Sequence, residues 1–516
     1  MLNIAALLSP DAFGHPITKP QLIETHISWV ILTGTYVYKI KKPVNFGFLD
    51  FSTLAKRKHF CEEELRLNRH LAPDIYLNLI PISGTEESPQ LGGSGNIIDY
   101  AIKMREFPQQ AQLDRLLEQN ELSNAKIEAI AETIAAFHLQ ADQADATSPY
   151  GSLEKIWHPV AENFAQLAML DHQSAHQTLL NDLQHWSQSE FSRCESIFLQ
   201  RKQAGFIREC HGDLHLRNIA WLENKPLIFD CIEFNPSLRW IDVISDIAFL
   251  VMDLFDRNQP ALAMSLLNRY LEQTGDYEGI RLLPFYFVYR ALVRAKVAAL
   301  RLKQSHLTDD ETENSQQEML GYLQLAQDFL HRPAGQLIIT WGLSGSGKTY
   351  LTAALLEPLR AIRIRSDVER KRLAGLLSTT PAQANIDKGI YSREMSDKTY
   401  LRLHELADAM LQAGFPIIID ATFHDPNQRD QFRQLAQQRR VAFVILECVA
   451  SAETLRDRIA QRRGDASDAD LRVLEHQLTQ VNPISEQERL QSIRIDTEVP
   501  IDYPALALAV QKFPIK

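Results

Sequence analysis

A chain of 516 residues exceeds what one hydrophobic core usually supports, so two or more domains are expected. With 45% hydrophobic and 23% charged residues, its composition is that of a globular protein and excludes a disordered or membrane class. The formal net charge of −11 argues against non-specific binding to long nucleic acid, because an acidic surface repels phosphate, but it leaves room for a local basic pocket.

In chain order, residues 1–10 lack the basic start and long apolar stretch of a signal peptide. Residues 27–32 and 35–41 alternate around Thr33-Gly34, which predicts a β-hairpin. A charge-rich helix is expected over 54–71, then strands over 77–81 and 97–103, with Gly92, Gly93 and Gly95 in a loop. From about residue 113 the period is helical, broken by a loop-and-strand island at 210–234. The longest apolar candidate, 241–255, carries Asp242, Asp246 and Asp253 and cannot be read as a membrane span. Five scattered cysteines (Cys61, Cys194, Cys210, Cys231 and Cys448) form no C-x-x-C pair, which fits reduced thiols and a cytoplasmic location.

A polar stretch over 305–317 and a helix over 319–330 lead to Arg332-Pro333-Ala334-Gly335, where the main boundary is placed. The expected domains are therefore 1–333, with a small β-rich lobe at 1–108 and a helical lobe at 109–333, and 334–516. The first is α+β. In the second, apolar strands at 337–341, 361–365, 415–419 and 441–449, with a further candidate at 492–495, alternate with helices, as in an α/β domain with a parallel sheet.

The second domain opens on Gly342-Leu-Ser-Gly-Ser-Gly-Lys-Thr349, a G-x-x-x-x-G-K-[ST] loop between a strand and a helix. Its glycines let the N–H groups of Ser344, Gly345, Ser346 and Gly347 face a phosphate without Cβ clashes, and the helix start adds a positive dipole end. Lys348 is the candidate for the β/γ-phosphates and Thr349 for Mg²⁺. Asp367 and Asp420 follow strands, where ligands of parallel sheets sit. Asp367 is read as the group facing the phosphoryl acceptor, with a helix-capping pair Ser366/Glu369 as the bland alternative. Asp420 is read as a metal-side acid, with a structural strand-end Asp as its alternative. Arg458 and Arg462, one turn apart, are candidates for clamping phosphate, against a solvated charged face.

In the first domain, Asp213 is followed five residues later by Asn218, and a short strand at 227–229 ends in Asp230. Kinase chemistry needs such a set: an acid beside the acceptor hydroxyl, an Asn on the metal, and a later Asp bridging metal and phosphates. Such a fold also needs a strand lysine and a helix glutamate. Lys39, Lys41 and Lys42 compete for the first role and Glu62, Glu63 and Glu64 for the second; Lys39 and Glu64 are preferred.

Two resemblances follow. Residues 336–500, through GLSGSGKT (342–349), IRSDVERKRLAG (364–375), IIIDATFHDPNQR (417–429) and RIAQRRGDASDAD (458–470), resemble small P-loop kinases related to gluconate, shikimate and polynucleotide kinases. That resemblance implies Asp367 toward the acceptor and the arginine helix in a lid over ATP. Residues 1–330, through HGDLHLRN (211–218) and IFDCIEF (228–234), resemble the aminoglycoside phosphotransferase family. This implies Asp213 as catalytic base, Asn218 and Asp230 as metal ligands and Asp246 as a structural acid. The chain departs from that pattern in having no multiple-glycine phosphate loop, only Thr33-Gly34, and in carrying Arg290 and Arg294 in the helical lobe. The whole resembles bacterial fusions of the two types.

The expected function is a cytoplasmic tandem phosphotransferase using Mg²⁺ and ATP at two sites on small hydroxylated acceptors. One alternative is a regulatory ATP-binding protein with a silent domain and a protein partner. The other is a polynucleotide 5′-hydroxyl kinase, suggested by Arg360, Arg363, Arg365, Arg370, Lys371 and Arg372 near Asp367.

Overall fold

The computed structural model describes residues 2–17, 20–47, 49–170, 174–303, 308–331, 335–377, 380, 389–461, 469–480 and 482–515. The chain packs as two compact units, Met1–Glu162 with Phe191–Asp253, and Asn163–Glu190 with Leu254–Lys516. Among the described residues, no helix is long and apolar enough to cross a membrane.

The first unit contains an antiparallel sheet of β1 (Gln21–Glu24), β2 (Ser28–Leu32), β3 (Tyr36–Lys41), β4 (Tyr76–Gly84), β5 (Pro89–Leu91) and β6 (Ile97–Arg105), in the order β1-β2-β3-β6-β4-β5. The expected hairpin is β2–β3, in register from Ser28–Lys41 to Leu32–Val37. Strand alternation divides its residues between two faces. Trp29, Ile31, Tyr38 and Ile40 join one apolar cluster, whereas Lys39 and Lys41 point to the other face, toward helix α1 (Leu54–Asn68). Thr53 caps α1 by accepting the Lys56 N–H at 3.3 Å. Beyond helix α2 (Asn124–Gln140) the island forms β7 (Ile207–Glu209), a hairpin of β8 (Ile219–Leu222) and β9 (Lys225–Ile228), β10 (Trp240–Asp242) and helix α3 (Val243–Asp256). The hairpin replaces the lone strand expected at 227–229. Glu223 and Asn224 both take positive φ at its turn, the conformation that matches strand twist in a two-residue loop.

The second unit holds helices α4 (Pro260–Thr274), α5 (Leu283–Arg301) and α6 (Asp309–Leu330) and a fully parallel sheet. Its strands are β11 (Gln336–Trp341), β12 (Ile362–Arg365), β13 (Ile417–Asp420), β14 (Ala442–Val449) and β15 (Ser492–Asp496), in the order β12-β13-β11-β14-β15. Every residue of β11 is buried, which is why it reads as a continuous apolar run. The intervening helices are α7 (Lys348–Leu359), α8 (Ser366–Leu373), α9 (Arg393–Gln412), α10 (Pro426–Arg439), α11 (Ala452–Gln461) and α12 (Leu471–Thr479), with α13 (Tyr503–Gln511) last. Asn268 of α4 serves the edge strand β12: its amide donates to the Ala361 carbonyl at 3.1 Å and accepts the Arg363 N–H at 2.8 Å. This satisfies an edge that would otherwise expose unpaired backbone.

Two local expectations are corrected. The polar stretch before residue 317 is helical from Asp309, because Thr308 and Glu311 form a capping box that starts α6 there. Ser366 and Glu369 form no such box: α8 begins at Ser366 itself, and Glu369 pairs with Arg372. Residues 332–334 of the expected boundary lie outside the described residues.

Candidate functional site

In the first unit, β3 delivers two lysines to one glutamate of α1. Lys39 Nζ lies 2.8 Å from Glu64 and 2.6 Å from Asp230, while Lys41 Nζ lies 2.6 Å from Glu64 and also binds Glu233. Burial disfavours the Lys39 ammonium, but the Asp230 and Glu64 carboxylates outweigh it and hold its pKa above the ordinary value. Glu64 is fully buried, and the two ammonium groups nevertheless hold it down at about 2. The structure thus brings Lys39, Glu64 and Asp230 together. Lys41 and Glu233 form a second, inner pair that the sequence reading did not assign; alternation on β3 was the signal for Lys41. Lys42 instead points to Glu24, at 2.6 Å, and Glu63 pairs with Arg66.

The island supplies the remaining groups. Asp230 takes a left-handed φ of 67°, a conformation that non-glycine residues adopt at a cost. Asn218 Nδ2 donates to the Asp213 carbonyl at 3.0 Å and to its carboxylate at 3.2 Å, and His215 Nε2 stands 3.4 Å from the same carboxylate. The loop is held from beneath by Asp246, which accepts the N–H groups of His211 and Gly212 at 3.0 and 2.9 Å and faces His138 at 3.1 Å. Burial pushes the His211 ring below its ordinary pKa, and it bonds the Phe229 carbonyl at 2.8 Å. Asp246 therefore orders the loop that carries Asp213. The N–H groups of Thr33 and Gly34 already donate to the Glu106 carboxylate, at 3.0 and 2.7 Å, so this turn is not an open phosphate loop.

In the second unit, the loop between β11 and α7 lines a cavity of about 490 Å³ together with Asp367, Asp420 and Arg458. A Cβ at Gly342 would meet the Cys448 carbonyl at 2.5 Å, and one at Gly345, where φ is 84°, would meet the Leu455 carbonyl at 3.0 Å. Only glycine allows this approach. Lys348 Nζ donates to the Gly342 and Leu343 carbonyls at 2.9 and 2.8 Å, the Ser344 N–H donates to the Gln477 amide at 2.9 Å, and the buried Ser346 hydroxyl has no partner. A glycine cradle, a lysine at its lip and an orphaned hydroxyl fit a polyphosphate. Asp420 is buried, with Thr352 Oγ1 at 3.5 Å and Arg365 at 4.0 Å. Thr349 also lines the cavity.

Arg458 donates to the Gly345 carbonyl at 3.3 Å and to Thr497 at 2.9 and 2.7 Å, bracing the loop rather than standing as a solvated charge. Arg456 pairs with Glu475 at the surface, and Arg462 lies outside the described residues. Four residues of the basic run around Asp367 have partners within the unit: Arg363 bonds the Thr349 carbonyl, Arg365 pairs with Glu272, Arg370 bonds the Ile390 carbonyl and Ser396, and Arg372 pairs with Glu369, while Arg365 and Arg370 also line the cavity. Arg294 likewise stands 3.3 Å from the Tyr322 hydroxyl and 3.7 Å from Glu318.

Comparison with known proteins gives two matched regions. Residues 35–283 match the family model described as phosphotransferase enzyme family, and residues 337–484 match one described as AAA domain. An uncharacterized protein of Mycobacterium tuberculosis is 31% identical over 462 residues, covering 88% of this chain and 89% of the relative. Among solved structures, an amicoumacin kinase in complex with AMP-PNP, Ca²⁺ and amicoumacin is 12% identical and covers 63% of this chain and 92% of its own, with a TM-score of 0.40. An unliganded sugar kinase from Janibacter sp. HTCC2649 is 20% identical, with 35% and 95% covered and a TM-score of 0.27. The chain belongs to a family of two-domain proteins in which a kinase-like domain of the phosphotransferase enzyme family precedes a P-loop kinase-like AAA domain.

Proposed function

We propose that the protein is a cytoplasmic, ATP-dependent phosphotransferase with two nucleotide sites, one in each of the domains 1–333 and 334–516, acting on small hydroxylated acceptors. One observation carries the reading: a single chain assembles two phosphate-handling sets, Lys39–Glu64–Asp230 beside Asp213 and Asn218, and the Gly342–Thr349 loop beside Asp367 and Asp420. Bound Mg-ATP supplies the phosphoryl group and the charge of the metal. In the first site Lys39 binds the α/β-phosphates, Asn218 and Asp230 hold the metal, and Asp213 takes the proton of the acceptor hydroxyl. In the second, the loop N–H groups and Lys348 bind phosphate, Thr349 and Asp420 hold the metal, and Asp367 faces the acceptor.

The test is transfer of labelled γ-phosphate from Mg-ATP into a small-molecule cytosolic extract by the wild type, Asp213→Ala and Lys348→Ala. Two products, each lost in one variant, are expected. Absence of any acceptor-dependent label, with Mg-ADP still bound, would overturn the reading.

A second reading, in which the first domain binds nucleotide without turnover and acts on a protein partner, is favoured by the occupied Thr33-Gly34 turn. It requires an Asp213→Ala variant indistinguishable from wild type in transfer.

A further inference from the structure

His424 follows β13 and lines the same cavity as Lys348 and Asp367; the Gln477 side chain interacts with its ring, and neither buried ring nitrogen makes a hydrogen bond of good geometry. A buried polar group without a well-formed hydrogen bond is costly, so such a group lining a cavity points to a partner that arrives with a ligand. The backbone around it points the same way. Phe423, fully buried, is held at a φ of 47°, a left-handed conformation that strains an aromatic residue. Its N–H donates to the Tyr400 hydroxyl at 3.1 Å, and the Phe423 and His424 carbonyls accept from Arg429 at 2.8 and 3.3 Å. Arg429 is itself buried and fixed by Glu488 at 2.6 and 3.1 Å. Strain held by three neighbours fixes the orientation of the next side chain.

Sheet order indicates which ligand that side chain meets. β12 and β13 lie on one side of β11, and β14 and β15 on the other. Arg458 and Thr497, which follow β14 and β15, meet the phosphate loop from their side. His424 follows β13 and lines the cavity with Asp367 and Asp420, where the acceptor is placed by the reading above, and its ring is also within reach of Gln477, which accepts the Ser344 N–H. Burial, then the nearby cations Lys348 and Arg429, push its pKa down to about 4, so the ring is neutral at working pH. A neutral imidazole offers one donor and one acceptor, and a hydroxyl group, itself both donor and acceptor, can satisfy either nitrogen.

We propose that His424 is a specificity-determining residue of the second site, hydrogen-bonding a hydroxyl of a polyhydroxylated small-molecule acceptor. This rests on the phosphotransferase reading of that site. The test uses the full chain and four proteins: wild type, Lys348→Ala, His424→Ala and His424→Gln. Mg-ADP affinity, melting temperature, and the quantity of cytosolic extract giving half-maximal Lys348-dependent labelling are measured for each. His424→Ala is expected to bind Mg-ADP within about threefold of wild type but to need at least about tenfold more extract, and His424→Gln, neutral with a donor and an acceptor, to recover most of that loss.

Unchanged labelling by His424→Ala overturns the inference alone. Loss of Mg-ADP affinity comparable to that of Lys348→Ala would instead make His424 a nucleotide-side residue and overturn its acceptor role. A fall in melting temperature and labelling in both His424 variants would make it structural. Absence of Lys348-dependent labelling in the wild type overturns the proposed function of the site, and the inference with it.

Discussion

Lys39 and Asp230, 191 residues apart in sequence, meet at 2.6 Å between Nζ and Oδ1. On the proposed reading, the ammonium that would meet phosphate is neutralised in advance by the carboxylate that would hold the metal, so nucleotide binding would exchange one set of ion pairs for another rather than fill an uncompensated cationic pocket.

The two β3 lysines should behave differently when replaced. Lys39→Met removes a phosphate contact and is expected to lower kcat/KM for the Asp213-dependent product by about a hundredfold, with folding largely kept. Lys41→Met leaves Glu64 and Glu233 facing each other in the interior. Breaking a buried ion pair costs about 3–5 kcal/mol, so its urea midpoint should fall well below that of Lys39→Met, and a Lys41→Met, Glu233→Gln double variant should recover part of the loss.

Lys348→Ala should cost about 3 kcal/mol of transition-state stabilisation, roughly a hundredfold in rate, confined to the product that depends on the second site. Gly342→Ala should abolish Mg-ADP binding there as well, because its methyl group would meet the Cys448 carbonyl at 2.5 Å. Isothermal titration separates the two: Lys348→Ala weakens the interaction, whereas Gly342→Ala removes the cradle.

Acid should act through Glu64. Its pKa falls from the model-compound value of 4.5 to about 2 in the folded chain, despite burial, because of Lys39 and Lys41. A depressed folded-state pKa contributes stability that is present above 4.5 and lost as pH falls toward 2. The stability difference between wild type and Glu64→Gln, measured by urea unfolding, should therefore shrink between pH 5 and pH 3 on the scale set by these values.

All five cysteines are buried thiols outside any disulfide, and burial pushes the Cys61 and Cys448 thiols up to about 12. Thiolate is the reactive form. The native protein should therefore give almost no reaction with Ellman's reagent at pH 8, and the urea-unfolded chain should give all five thiols.

Much of the architecture was legible in the residues. The β2–β3 alternation, the apolar runs of β11, β13 and β14, and the glycine loop each express a local rule: side chains alternate on a pleat, central parallel strands are buried on both faces, and only glycine lets backbone approach a phosphate so closely. Capping was less legible, since Ser366 with Glu369 has the same spacing as Thr308 with Glu311 but only the second pair forms a box. The difference lies in Arg372, which takes the Glu369 carboxylate from the adjacent turn.

The sequence by itself determined which chemistries are present: a P-loop lysine, strand-end acids, and an Asp–Asn–Asp set spaced as phosphoryl transfer requires. Only the tertiary structure decided which charges are available to a ligand and which are bound internally. It gave Glu64 two lysines rather than one, placed Glu106 on the Thr33-Gly34 turn, bound Arg363 to the Thr349 carbonyl, and set the His424 ring in the cavity without a hydrogen bond of good geometry. The physical reason is that a residue's type and spacing set what it can bond, whereas desolvation and the nearest opposite charge, both consequences of long-range packing, set what it does bond.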